Sequence, residues 1–160
     1  MLPKIISINI SKGGIPKLPV HSIHVTASGL EGDGHHHEKH RTPMQAVCLQ
    51  DIEKINELRA AGYPLKAGTT GENLTMSNVH VNDLPIGTIV RFSSGVVIEL
   101  TRVRKPCYVL DAIHLKLKED ILGRCGMYAK VLQEGSVQVG DSVESIELPG
   151  DRTNNTCPPY

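Results

Sequence analysis

Apolar and polar residues alternate in short runs along most of this chain. KIISINI (Lys4 to Ile10), VHSIHVTA (Val20 to Ala27), MQAVCL (Met44 to Leu49), GTIVRF (Gly87 to Phe92), VVIELTRV (Val96 to Val103) and MYAKVLQ (Met127 to Gln133) are short and β-rich. Several show the period of a half-buried strand. Ser93-Ser94-Gly95 separates two of these runs and predicts a hairpin. The helical period is found twice. Leu49, Ile52, Ile55 and Leu58 form one stripe that Gly62 and Pro64 bring to an end. After Pro106, Val109, Leu110, Ile113, Leu117 and Ile121 form a rougher stripe up to Gly123. So many strands and so few helices predict a mainly β, barrel-like fold with peripheral helices rather than a layered α/β alternation.

A length of 160 residues suits one domain, expected over residues 1–148. The Pro- and Asn-rich end DRTNNTCPPY has little to bury, so 149–160 reads as a disordered tail and its Cys157 as incidental. Aromatic residues make up 3% of the chain against 39% hydrophobic, so Ile, Val and Leu must build the core. Acidic and basic residues balance at 17 each, and the stacking aromatics of a single-strand binder are missing, which argues against nucleic acid as a partner. No apolar run approaches a membrane span, and MLPKIISINI does not resemble a signal peptide, so a cytoplasmic location is expected.

The four cysteines, Cys48, Cys107, Cys125 and Cys157, include no CxxC pair. In a reducing compartment each is core, ligand or nucleophile rather than half of a disulfide. Cys48, within AVCL, reads as inert core. Cys107 follows a strand and Pro106, with Arg102, Arg104 and Lys105 close behind it, and cations of this kind favour a thiolate.

GLEGDGHHHEKH (Gly29 to His40) holds half of the eight histidines. HEKHR is not the HExxH zinc motif, because Arg41 stands where the second ligand belongs. Its glycines and Pro43 indicate a loop, in which solvated histidines are favoured over a dedicated metal site. SKGGIPKLPV (Ser11 to Val20) offers either an anion-binding turn flanked by Lys12 and Lys17 or an ordinary surface turn, and it is no P-loop. In GTTGENLTM (Gly68 to Met76), Thr69, Thr70, Glu72 and Asn73 could orient a ligand or cap a turn.

Taken in order, GGIPKLPV, GLEGDGHHHEKH, AVCL with the helix after it, GTTGENLT, RKPC and YAKVLQEGSVQVGDSV resemble the small stand-alone bacterial MOSC proteins, named after the C-terminal domain of molybdenum cofactor sulfurase. The resemblance runs from about Ile5 to Val143 and rests on the joint order of the motifs. It implies a β-barrel-like fold with a cleft for the molybdenum cofactor, a phosphate-bearing pterin dithiolene. Within that cleft it implies Cys107 as the metal ligand and catalytic residue. Lys17 and Arg104 become anion-stabilising charges, and Asp33, His40, Glu72 and Asn73 polar groups of the cleft. His35, His36 and His37 gain no such role.

A thiolate is a soft donor suited to a metal already bound through sulfur. The same thiolate could instead carry a persulfide, since MOSC domains have also been proposed as sulfur carriers loaded by a pyridoxal-phosphate-dependent cysteine desulfurase. The implied activity is therefore molybdenum-dependent reduction of N-hydroxylated compounds, with electrons from a partner protein, or sulfur transfer without reduction. Where many relatives have HGG, this chain has His40-Arg41-Thr42, which alters that wall. Cys125 is a second candidate sulfur or a buried thiol at a turn.

Overall fold

The computed structural model describes residues 2–34 and 42–150. Strand β1 is Lys4–Ile10 and β9 is Met127–Gln133, the bounds their alternation predicts. Strands β7 (Ile89–Phe92) and β8 (Val97–Val103) form the predicted antiparallel hairpin. Strand β5 (Val47–Asp51) leads straight into helix α1 (Ile52–Ala60), which buries Ile55 and Leu58 and ends before Gly62.

Three expected elements differ in detail. The run at Met44 begins as a 3-10 turn, Pro43–Gln45, because proline at its start favours a turn over a ladder position. VHSIHVTA divides at His21 into β2 (Leu18–Val20), paired with β1, and β3 (Ser22–Thr26), which joins another sheet. The stripe after Pro106 becomes a 3-10 turn, Tyr108–Ala112, followed by the four-residue helix α2 (Leu117–Asp120).

The remaining strands are β4 (Gly29–Leu30), β6 (Leu74–Ser77), β10 (Gly135–Gln138) and β11 (Val143–Glu147). The large sheet runs β11-β7-β8-β9-β5-β6-β1-β2, and β10-β3-β4 form a smaller one. Among the described residues only β5 and β6 pair in parallel, which the chain achieves by passing through α1 between them. Among the described residues no continuous ladder closes the large sheet. Its ends are tied at one corner instead, where Lys4 bridges Ser142 and the Ile5 N–H donates to Asp141 O at 2.9 Å.

Val47, Leu49, Met127 and Ala129 point into the main core at 1% exposure or less. A second, smaller core lies where α1 meets the segment after Pro106, with Leu58, Leu110, Leu117 and Ile121 fully or almost fully buried. No helix among the described residues is long and apolar enough to cross a membrane.

Candidate functional site

Alternation along a strand sends every second side chain to the opposite face. Val47 and Leu49 take the core face, so Cys48 between them faces the other way. Its antiparallel partner on β9 is Tyr128. Both line a cavity of about 270 Å³. The loop after β1 adds Gly14, Ile15 and Lys17, the turn before β6 adds Gly71 and Asn73, and the chain beyond β8 adds Arg104, Lys105, Cys107 and Val109.

One polar network ties these walls together. Asp33 Oδ2 accepts from Lys17 Nζ at 2.6 Å and from Asn73 Nδ2 at 2.9 Å, and its Oδ1 accepts from the Ser11 N–H at 3.0 Å. Asn73 also accepts the Cys48 N–H on Oδ1 at 3.0 Å and gives its own N–H to Cys48 O at 2.8 Å. Thus Asn73 clamps β5 to the loop that carries Asp33. The close fit needs glycine at Gly34, where a Cβ would lie 2.3 Å from Lys12 O.

Behind this wall Glu72 is fully buried and is not among the lining residues. Its carboxylate accepts the Gly68 N–H at 2.9 Å and 3.1 Å, with the Thr70 and Thr75 hydroxyls at 3.3 Å. Burial holds its carboxyl above the ordinary range, and the Gly68 N–H and the Arg104 charge oppose that rise. Arg104 Nη2 donates to Thr70 O, whereas Nη1 is buried without a hydrogen-bond partner. Burial disfavours the Arg104 guanidinium charge, but Cys48, Cys125, Tyr128 and Glu72 around it hold it above its ordinary value once they ionise at high pH, so Arg104 is a cation throughout the neutral range.

The thiols separate by environment. Burial pushes Cys48 up to about 11 and also raises Cys125, so both stay protonated near neutral pH. Cys107 is exposed at the cavity, in extended backbone just before the 3-10 turn. Burial likewise raises the Tyr128 phenol, leaving it a neutral hydrogen-bond donor.

Of the residues expected at a site, Lys17, Asn73, Arg104 and Cys107 line one cavity, and Asp33 positions Lys17 and Asn73. Glu72 supports the wall from behind. His40, like His35, His36 and His37, lies outside the described residues. Among the described residues no three His, Cys, Asp or Glu side chains gather to hold a metal. Sequence reasoning missed Tyr128 and the cavity-facing side of Cys48. The parity of AVCL against MYAKVLQ carries that signal once the two strands are paired.

Fold and cavity together define a β-rich domain with a thiol-bearing cleft lined by charged, amide and apolar groups. The MOSC domain model matches residues 33–144, and the chain belongs to that family. It is 30% identical over 132 residues to a protein named "Reductase" from Gibberella moniliformis, covering 78% of this chain and 24% of that protein. It is 32% identical over 141 residues to YflK of Bacillus subtilis, covering 83% of this chain and 63% of YflK. The chain thus spans less than two thirds of either curated relative. Among solved structures, YiiM from Geobacillus stearothermophilus superposes with a TM-score of 0.72 at 28% identity, covering 88% of this chain and 73% of that one. YuaD of Bacillus subtilis, at 19% identity and a TM-score of 0.76 over 89% and 94% of the two chains, shares the fold.

Proposed function

We propose that the cleft holds the molybdenum cofactor and that the chain is the metal-binding module of an oxidoreductase acting on N-hydroxylated compounds. The observation that carries this reading is the convergence of an exposed thiol, Cys107, with Lys17, Lys105 and Arg104 on one cavity. These residues fit such a group. A soft sulfur donor meets cations suited to a phosphate, and the buried Arg104 Nη1 lacks an acceptor. Gly71 leaves room in the wall, since a Cβ there would come 2.9 Å from Ile15 Cγ2 and 3.3 Å from Arg104 Nη2.

When bound, the group supplies two-electron oxygen-transfer chemistry. The protein's share is placement and charge. Cys107 would ligate as the thiolate, and Asp33 holds Lys17 in place. Tyr128 offers a protonated phenol to an oxygen of the bound compound. Reduction of N–OH to N–H releases water and consumes two electrons and two protons, so an electron-donor protein completes the system. The setting is the cytoplasm, where Cys107 stays reduced.

The test is expression in a host that makes the cofactor, with molybdenum, pterin and viologen-driven reduction of an amidoxime measured on the purified chain. All three should be present, and Cys107→Ser should lose the metal while keeping its melting curve. Folded wild-type protein without molybdenum or pterin would overturn the reading. The exposure of Cys107 favours a second reading, a persulfide carrier loaded by a cysteine desulfurase. Cyanide-releasable sulfur in molybdenum-free protein would identify it.

A further inference from the structure

From Arg102 to Arg124 the chain has six Arg or Lys residues and three acidic ones, although its 17 cations and 17 acids balance overall. This segment leaves the cleft at Cys107 and returns beside Arg104, whose N–H donates to Gly126 O at 3.1 Å. In between, the backbone turns helically. The N–H groups of His114, Asp120 and Ile121 bond the carbonyls four residues earlier, at 3.2, 3.2 and 2.9 Å. Residues seven apart fall on one side of such a helix, so Leu115 and Leu122 share a face with Lys118 between them, while Leu117 and Ile121 share the opposite one. Exposure agrees, at 80% for Leu115 and 65% for Leu122 against 0% for Leu117 and Ile121.

The buried side of these turns is anchored. Leu117 and Ile121 pack with Ile55 and Leu58 of α1, the Tyr63 hydroxyl donates to Asp120, and Arg124 pairs with Glu57. The outer side is left to solvent, with two large apolar side chains next to exposed cations. Lys116 and Lys118 form no ion pair among the described residues. A second copy of this face would set lysine against lysine, so its charge suits an acidic partner and opposes self-association.

We infer that this face, Leu115 and Leu122 with Lys116 and Lys118, docks the electron donor, a small acidic one-electron carrier protein of the ferredoxin kind. The inference rests on the reaction proposed above. Converting N–OH to N–H and water takes two electrons and two protons, so a one-electron carrier must dock and leave twice in each turnover. Opposite charge speeds such encounters, and a small apolar centre keeps them brief. The docking face and Cys107 belong to one continuous segment, which places the donor on the Cys107 side of the cleft.

The test uses the full chain from a cofactor-making host, with an acidic plant-type two-iron ferredoxin as the probe. Calorimetry should show one ferredoxin bound, with affinity falling at least about tenfold between about 50 and about 300 mM NaCl. Amide exchange should slow over residues 114–122 in the complex. Leu115→Ser with Leu122→Ser, and separately Lys116→Glu with Lys118→Glu, should each weaken binding and ferredoxin-driven amidoxime reduction at least about tenfold, with viologen-driven reduction unchanged. All four side chains are exposed, so both double variants should keep the wild-type melting curve. Binding and turnover that ignore both variants would overturn the inference, as would wild-type protein that works with viologen but neither binds ferredoxin nor takes electrons from it. A dimer of the chain that the leucine changes dissolve would also overturn it, giving the face to a second copy. Ferredoxin bound through this face by protein without viologen-driven turnover would instead uphold the docking surface and sink the proposed reaction.

Discussion

Lys17 Nζ lies 2.6 Å from Asp33 Oδ2, and the two side chains are 11% and 1% exposed. Asn73 bonds the same carboxylate oxygen, so the lysine is fixed in direction and partly neutralised before any ligand arrives. Removing one partner of a buried pair leaves the other charge without its counterion. Lys17→Met should cost about 3 kcal/mol and Asp33→Asn a similar amount, with the double variant losing clearly less than the sum. Urea unfolding of the four proteins measures the coupling. Simple additivity would mean the contact does not matter to stability.

The cysteines should differ sharply in reactivity. Cys107 is exposed, whereas Cys48 is buried with its thiol near 11 and Cys125 is buried and raised as well. Iodoacetamide at pH 7.5, followed by peptide mass analysis, should label Cys107 at least about tenfold faster than Cys48 or Cys125. Equal rates for Cys48 and Cys107 would contradict the buried environment of Cys48.

Asp51 predicts a pH dependence of stability. Burial above all holds its carboxyl near 6 in the fold, against an ordinary value of 3.8. The folded state therefore keeps the proton more tightly than the unfolded one. The associated stabilisation is complete below pH 3.8 and is lost as pH rises through 6, by up to about 3 kcal/mol. Asp51→Asn should remove that slope, so the wild-type-minus-variant difference between pH 4 and pH 7 isolates this group. A flat difference would place Asp51 in a better-solvated setting.

Gly126 is a backbone requirement. Its φ is +95°, and a Cβ there would fall 2.0 Å from Leu49 O, a backbone atom of the neighbouring strand. Gly126→Ala should destabilise by roughly 3 kcal/mol or more, because both the conformation and the contact oppose it. Gly95→Ala, at φ +99° with nothing within 4 Å, meets only the conformational part and should cost less. Equal losses in thermal unfolding would show that the clash is not felt.

How much was legible depended on whether the deciding interactions were local. Strands β1 and β9 follow from alternation, and α1 from a stripe closed by Gly62 and Pro64. Strands β2, β4 and β10 have two to four residues, and β2 contains Pro19, so they exist only through their partners. The second helix breaks into short turns because its apolar residues need only fill the small core under α1. At the site, the ordered motifs pointed to Lys17, Asn73, Arg104 and Cys107. They could not reveal that Glu72 lies behind the wall, or that Tyr128 faces Cys48 across a ladder. Both facts depend on strand register, which a single chain does not display.

The walls of the cleft come from residues as far apart along the chain as Gly14, Gly34, Cys48, Asn73, Cys107 and Tyr128, drawn from nearly the whole length of the described fold. No hairpin or helix pair contains enough of them to recognise a ligand by itself. Bringing such distant segments together requires long loop closures, which are slow and come late in folding. On the proposed function, ligand capture is therefore the last competence the chain acquires. Partly folded chains cannot trap it early, and any lesion that opens the sheet, however remote from the cleft, will register first as failure to load.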